Sequence, residues 1–219
     1  MKVLRGFTLS ELVVTLAVVG IIAALTVPGL VQHYQRDTQV TMLKKVYMNL
    51  QDNLSFMQTE NIGLRFDKSL LGVESPDVEK FFDDYYNVTL KCGRNPSSCF
   101  APQYKNIRKS VLNTDFSDDN TYCVQFKDSS SMCIIPQSAL PATVFVDVNG
   151  PDKPNVVGRD MFSFHIYDDF SVDVVPPDVV AGGTAATARE NLFNNDCLGS
   201  YYGTGCFGKI LNDDWKMNY

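Results

Sequence analysis

The sequence predicts an α+β fold in which one long amino-terminal helix lies on an antiparallel β-sheet and disulfides close the loops. Three observations lead there. An apolar run followed by a three-and-four-residue periodicity extends from Phe7 to about Glu60. Residues 121–175 hold short segments of alternating apolar and polar residues separated by turn signals. The six cysteines fall into three close sets, 92/99, 123/133 and 197/206, in a chain long enough to bury a core without them.

Composition narrows the function classes. Of 219 residues, 45% are hydrophobic and 20% charged, which excludes wholesale disorder. The formal net charge of −6 argues against a general nucleic-acid binder, which needs positive charge facing phosphates. Two histidines leave little room for His-based catalysis or a His-rich metal site.

The helix begins with the most informative segment. Between Phe7 and Val27, 15 of 21 residues are apolar and the only charge is Glu11. As a helix this run is ~32 Å long, enough to cross a bilayer core. Lys2 and Arg5 precede it, so the short amino terminus is expected in the cytoplasm and the bulk of the chain on the far side. An oxidising compartment there suits an even set of cysteines. The run ends in Thr-Val-Pro-Gly-Leu, a poor site for signal-peptide cleavage. An intramembrane carboxylate costs roughly 2.5–3.5 kcal/mol, so Glu11 needs a partner.

Met1–Leu30 resembles the class III leader and amino-terminal helix of type IV pilins and type II secretion pseudopilins. The motif is Arg5-Gly6-Phe7-Thr8-Leu9-Ser10-Glu11-Leu12, then an apolar run to Pro28. The resemblance covers about the first 60 residues closely and the rest in general layout. It implies that a prepilin peptidase cuts between Gly6 and Phe7 and N-methylates Phe7, leaving the apolar run on the mature chain. It further implies partners: other subunits in a filament, the peptidase/methyltransferase, and an inner-membrane platform with its ATPase. The cleaved amine of Phe7 and the carboxylate of a neighbour's Glu11 attract strongly in a low-dielectric core. Gly20 and Pro28 are weak points of the helix, and the matching stretch of the family can lose helicity in filaments. Expected boundaries are a leader at 1–6, a helix at 7–60 with 7–27 in the membrane or filament core, and an exported head at 61–219.

Beyond Pro28, Leu30, Tyr34, Thr41, Leu43, Val46/Tyr47, Leu50, Leu54 and Met57 mark one helix face, and Asn61-Ile62-Gly63 a stop. Residues 64–110 form a connecting region. Ser75 as N-cap and Pro76 at the first position start a short helix through Tyr86. Lys91–Lys109 carries five basic residues and no acidic one, read as a solvated face or subunit contact rather than a DNA site.

Thr121–Phe126 and Ser131–Pro136 flank Lys127-Asp128-Ser129-Ser130 as a hairpin that sets Cys123 across from Cys133. Thr143–Val148, Met161–Tyr167 and Phe170–Val175 complete the sheet, with Asp168-Asp169 as a tight turn. One helix on such a sheet is the layout of a pilin head. Six cysteines allow 15 connectivities; local pairing is expected, Cys92–Cys99, Cys123–Cys133 and Cys197–Cys206. Spacings are wrong for zinc. The loop containing Asp147, Asn149 and Asp152 has oxygen ligands at alternate positions, which suits either calcium or an Asx-turn loop; no other cofactor is expected. The tail from Pro176 opens with Pro-Pro and a flexible Gly182–Ala186 stretch and ends in a disulfide-closed loop carrying Tyr201, Tyr202, Phe207, Trp215 and Tyr219.

Catalysis finds little support. Ser163, His165, Asp168 and Asp169 lie close in sequence, but no strained nucleophile turn, P-loop or dinucleotide fingerprint is present. The reading is a structural subunit of a type IV pilus-like or type II secretion filament. The alternatives are a minor adhesive or DNA-uptake pilin and a membrane-anchored periplasmic enzyme.

Overall fold

A computed structural model describes residues 6, 8–74, 76–112, 121–137, 142–198 and 203–219. Phe7, Ser75, Tyr201 and Tyr202, which figure in the expectations above, lie outside them, as do Lys2 and Arg5. The chain divides into two units, residues 1–38 and 39–219. The long helix α1 spans Leu9–Glu60, and its assigned backbone pattern runs through Gly20 and Pro28.

In the second unit, α1 buries Val40, Leu43, Val46, Leu50, Leu54 and Met57. Steps of three and four set these on one stripe, as an amphipathic helix on a core requires. Thr41, expected on that stripe, is exposed, and Val40 takes its place. The helix stops as expected: Asn61 donates from both its main chain and its side chain to the Met57 carbonyl. Gly63 then takes φ +83°, a left-handed conformation that favours glycine.

Helix α2 covers Val78–Tyr85. Its N-cap is Asp77, whose carboxylate accepts the Lys80 amide at 3.0 Å, rather than Ser75. Among the described residues eight strands follow: β1 Val88–Gly93, β2 Tyr104–Lys105, β3 Val111–Leu112, β4 Tyr122–Phe126, β5 Ser131–Pro136, β6 Ala142–Asp147, β7 Met161–Ile166 and β8 Val172–Asp173. Six form one antiparallel sheet in the order β1-β4-β5-β6-β7-β8, and β2 pairs with β3. The observed β6 begins one residue earlier than expected, and β8 is shorter because Phe170 sits in the Asp168–Phe170 turn at φ +64°.

Both faces of the sheet are covered. Val124, Met132, Ile134, Val144, Val146, Phe162 and Phe164 share a core with the α1 stripe. On the other face, Cys123, Cys133, Ile135, Phe145 and Met161 pack with Phe100, Tyr104, Leu112 and Val157. The polar strand positions Ser131, Ser163 and Asp147 are fully buried.

The carboxyl-terminal tail is helical rather than a flexible stretch and a loop. Helices α3 (Pro177–Ala181), α4 (Ala185–Leu192) and α5 (Thr204–Asn212) bracket a π-turn at Phe193–Cys197. Ala185-Ala186-Thr187-Ala188-Arg189-Glu190 is good helix-forming sequence, which explains why the chain winds up directly after Gly183. Arg189 of α4 forms an ion pair with Asp173 of β8, both largely buried. Tyr47 of α1 packs against Phe164, Phe207 and Trp215 and donates to the Val172 carbonyl at 3.1 Å. The Tyr219 hydroxyl donates to the Gly158 carbonyl at 3.0 Å and fastens the chain end to the β6–β7 loop.

Candidate processing and assembly site

The site begins at Gly6, which is exposed and has no atom within 4 Å of the position a Cβ would take. From Thr8 the chain closes a reciprocal cap. Thr8 Oγ1 accepts the Glu11 amide at 3.3 Å, and Glu11 Oε2 accepts the Thr8 amide at 2.9 Å. The Thr8 hydroxyl also donates to Glu11 Oε2 at 2.8 Å. This is the T-x-x-E capping box, which satisfies orphan amides at a helix start. The apolar run by itself marks Glu11 only as a charge in need of a partner. The signal for its second use, Thr8 three residues before Glu11, was present in the motif.

Leu9 through Val31 leaves its apolar side chains exposed on every face, including Leu12, Val13, Val14, Leu16, Ile21, Ile22 and Leu25. The polar groups inside the run are satisfied locally. Thr15 donates to the Leu12 carbonyl and Thr26 to the Ile22 carbonyl, each at 2.9 Å. The helix is long and apolar enough to cross a membrane. Gly20 and Gly29 face open space.

In the second unit the structure forms Cys92–Cys99, Cys123–Cys133 and Cys197–Cys206. Cys123 and Cys133 are direct register partners, so the hairpin itself brings the sulfurs together. Cys92–Cys99 ties edge strand β1 to the layer over the second face. Cys197–Cys206 joins the π-turn to α5.

The Asp147 loop is organised around two fully buried carboxylates. Asp147 accepts from the Tyr104 hydroxyl and from the amides of Asn149 and Gly150. Asp160 accepts the amides of Asn155 and Val156 at 2.6 Å each. Burial pushes Asp147 up to about 8, and the neighbouring Asp160 adds to the rise; its hydrogen bonds oppose it. Burial likewise raises Asp160 to about 6. The Asn149 side-chain nitrogen donates to the Asp152 and Lys153 carbonyls, and its Oδ1 is buried without a donor. Among the described residues no group of three or more His, Cys, Asp or Glu side chains is placed to hold a metal ion.

The residues weighed for catalysis go to separate partners. His165 Nδ1 lies 3.1 Å from the Thr143 hydroxyl, and burial lowers the ring to about 4, so it is neutral at pH 7. Ser163 Oγ lies 3.1 Å from Thr204 Oγ1. Asp169 caps the β7–β8 turn through Ser171. His33 pairs with Asp37 at 3.0 Å on the exposed surface of α1. In the basic stretch, Lys91 is neutralised by Glu79 and Asp83 on α2.

Residues 1–27 match the family described as prokaryotic N-terminal methylation motif. The amino-terminal segment is thus a type IV pilin-like class III leader, and the α+β head behind it has a pilin-like layout. No curated protein and no solved structure matches the chain.

Proposed function

We propose that this chain is a structural subunit of a type IV pilus-like or type II secretion filament. It is cut between Gly6 and Phe7, methylated at Phe7, and assembled through its amino-terminal helix. The observation that carries this reading is the methylation motif running straight into a helix whose apolar surface is unpartnered on every side. Such a surface has to be covered by lipid before assembly and by neighbouring helices after it. The peptidase and other subunits are the partners this reading requires, with an inner-membrane platform and its ATPase supplying the work. The head starts on the periplasmic side of the inner membrane and ends in the filament.

Glu11 serves two states on this reading. In the precursor it caps α1 through Thr8. After cleavage the new Phe7 amine brings a positive charge to the helix start, where a neighbour's Glu11 neutralises it and sets the axial register. Gly20 and Pro28 supply the local freedom to adjust that register. The test is Glu11→Ala in the producing cell. Cleavage and methylation should persist, and the subunit should vanish from the sheared surface fraction. Undiminished incorporation of that variant contradicts the proposal.

A further inference from the structure

Two features at opposite ends of the head fit one another. One end is defined by Lys45, which pairs with Asp128 of the β4–β5 turn at 2.7 Å. The β6–β7 loop lies at the same end, since a Cβ on Gly150 would stand 2.6 Å from the Ser129 carbonyl. The other end carries the α1 terminus. There Phe66 packs on Phe170 of the β7–β8 turn at 5.2 Å, and Gln58, Leu64 and Arg65 line a cleft with Asp168 and Asp169. Lys45 and Ile62 are separated by 17 positions, nearly all helical, or about 25 Å along the axis.

At the Ile62 end an apolar knob is exposed. Ile62 is 95% exposed, on the Asn61–Gly63 turn. Acidic groups outnumber basic ones in this stretch: Glu60 is two residues before Ile62, and Arg65, paired with Asp67 at 2.6 Å, also has Glu74 and Asp168 acting on it. At the Lys45 end there is a hole. A groove of about 350 Å³ is floored by Val46, Tyr86 and Phe126 and rimmed by Lys45, Asn87 and Lys127. Lys44 stands on the same turn of α1, 5.5 Å from the Trp215 ring. Asp128, the carboxylate on the rim, is already held by Lys45 and Ser130.

We infer that Ile62 of one copy seats in the Lys45–Phe126–Lys127 groove of a second copy, with the acidic end of one head against the basic end of the next. The occupant is a second copy because both halves of a complementary contact lie on this chain: apolar knob and apolar floor, negative surround and positive rim. A patch and its receptor on different ends of one molecule make a heterologous contact, which repeats without closing. That geometry builds a filament, so the inference rests on the function proposed above and names a contact between successive globular heads within it.

The experiment uses the full chain in its producing cell. All six native cysteines are in disulfides, so introduced thiols are the only reactive ones. A chain carrying both Ile62→Cys and Asn87→Cys should, on mild oxidation, give a ladder at whole multiples of the chain mass. Either substitution alone should give no ladder. Ile62→Arg should lower the sheared-filament content at least about tenfold with Phe7 methylation unchanged, and Ile62→Val should restore it. No ladder from a double variant that is present in filaments overturns the contact and leaves the filament reading standing. A cross-linked band whose mass is not a multiple of the chain overturns the choice of partner. Absence of the wild-type chain from filaments overturns both.

Discussion

Lowering the pH from about 8.5 to about 6.5 should stabilise the head, because Asp147 is buried beside a second carboxylate. Its folded pKa of about 8 lies above the unfolded value of about 3.9. A carboxyl with a raised folded pKa binds its proton more tightly in the native state. Stability from this group is therefore gained as pH falls through the folded pKa and is complete below the unfolded one. His165 acts in the opposite direction, since its folded value of about 4 lies below the unfolded value of about 6.5, but only below that pH. The window above about pH 6.5 therefore isolates Asp147, with Asp160 entering at its lower edge. From about pH 8 to about pH 6.5 the gain is bounded by about 2 kcal/mol, or about 1 M in urea midpoint. The three donors on Asp147 favour the anion and already hold the rise to that value. The assay is urea unfolding of the full chain in detergent, followed by tryptophan fluorescence from Trp215. Asp147→Asn should abolish most of the slope. A midpoint that stays flat or drops as the pH is lowered, or an unchanged slope in Asp147→Asn, would show that Asp147 does not take up its proton in the folded head.

Other perturbations have definite expectations. Leu50→Ala, which opens a cavity under α1 at a fully buried site, should cost about 3–5 kcal/mol in the same assay. Arg189→Met leaves Asp173 buried without its cation and should cost about 3–5 kcal/mol, whereas replacing both partners by apolar residues of similar size should recover most of it, as a double-mutant cycle will show. Tyr104→Phe removes a hydroxyl donor from a buried carboxylate and should cost about 1.5–3 kcal/mol at about pH 8, measured by thermal unfolding. Replacing Cys123 and Cys133 together by Ala opens a short covalent loop and should cost about 2–3 kcal/mol without changing the sheet register, checked by amide exchange.

The elements legible in the sequence are those with a period or a punctuation mark. The α1 stripe from Leu43 to Met57 repeats at three and four, and its end is written in Asn61 and Gly63. The Lys127–Ser130 turn between two apolar runs announces the β4–β5 hairpin, and the hairpin places Cys123 against Cys133. Strand β1 has no such pattern. It is an edge strand with three consecutive exposed positions, Thr89, Leu90 and Lys91, and two register shifts against β4. Strands β2 and β3 are two residues each and exist because they cover the second face of the sheet, a tertiary cause with no local signature. The same layer hides Asp147: its partner Tyr104 is 43 residues away, so the loop, which the sequence leaves open between a calcium site and an Asx-turn loop, is held together by a contact the local pattern does not encode. At the amino terminus the motif was legible and its chemistry half so. The spacing that marks Glu11 as an assembly charge also writes a capping box with Thr8.

On the proposed function, the amino terminus is cut and methylated while the apolar helix stays on the chain. Mass spectrometry of the amino-terminal peptide from membrane-extracted protein addresses it directly. The expected product is a chain beginning at Phe7 with one methyl group on its amine and the Leu9–Val27 run intact. An unmodified chain that retains Met1–Gly6 in cells with active prepilin peptidase, or a chain cleaved after the apolar run, contradicts it.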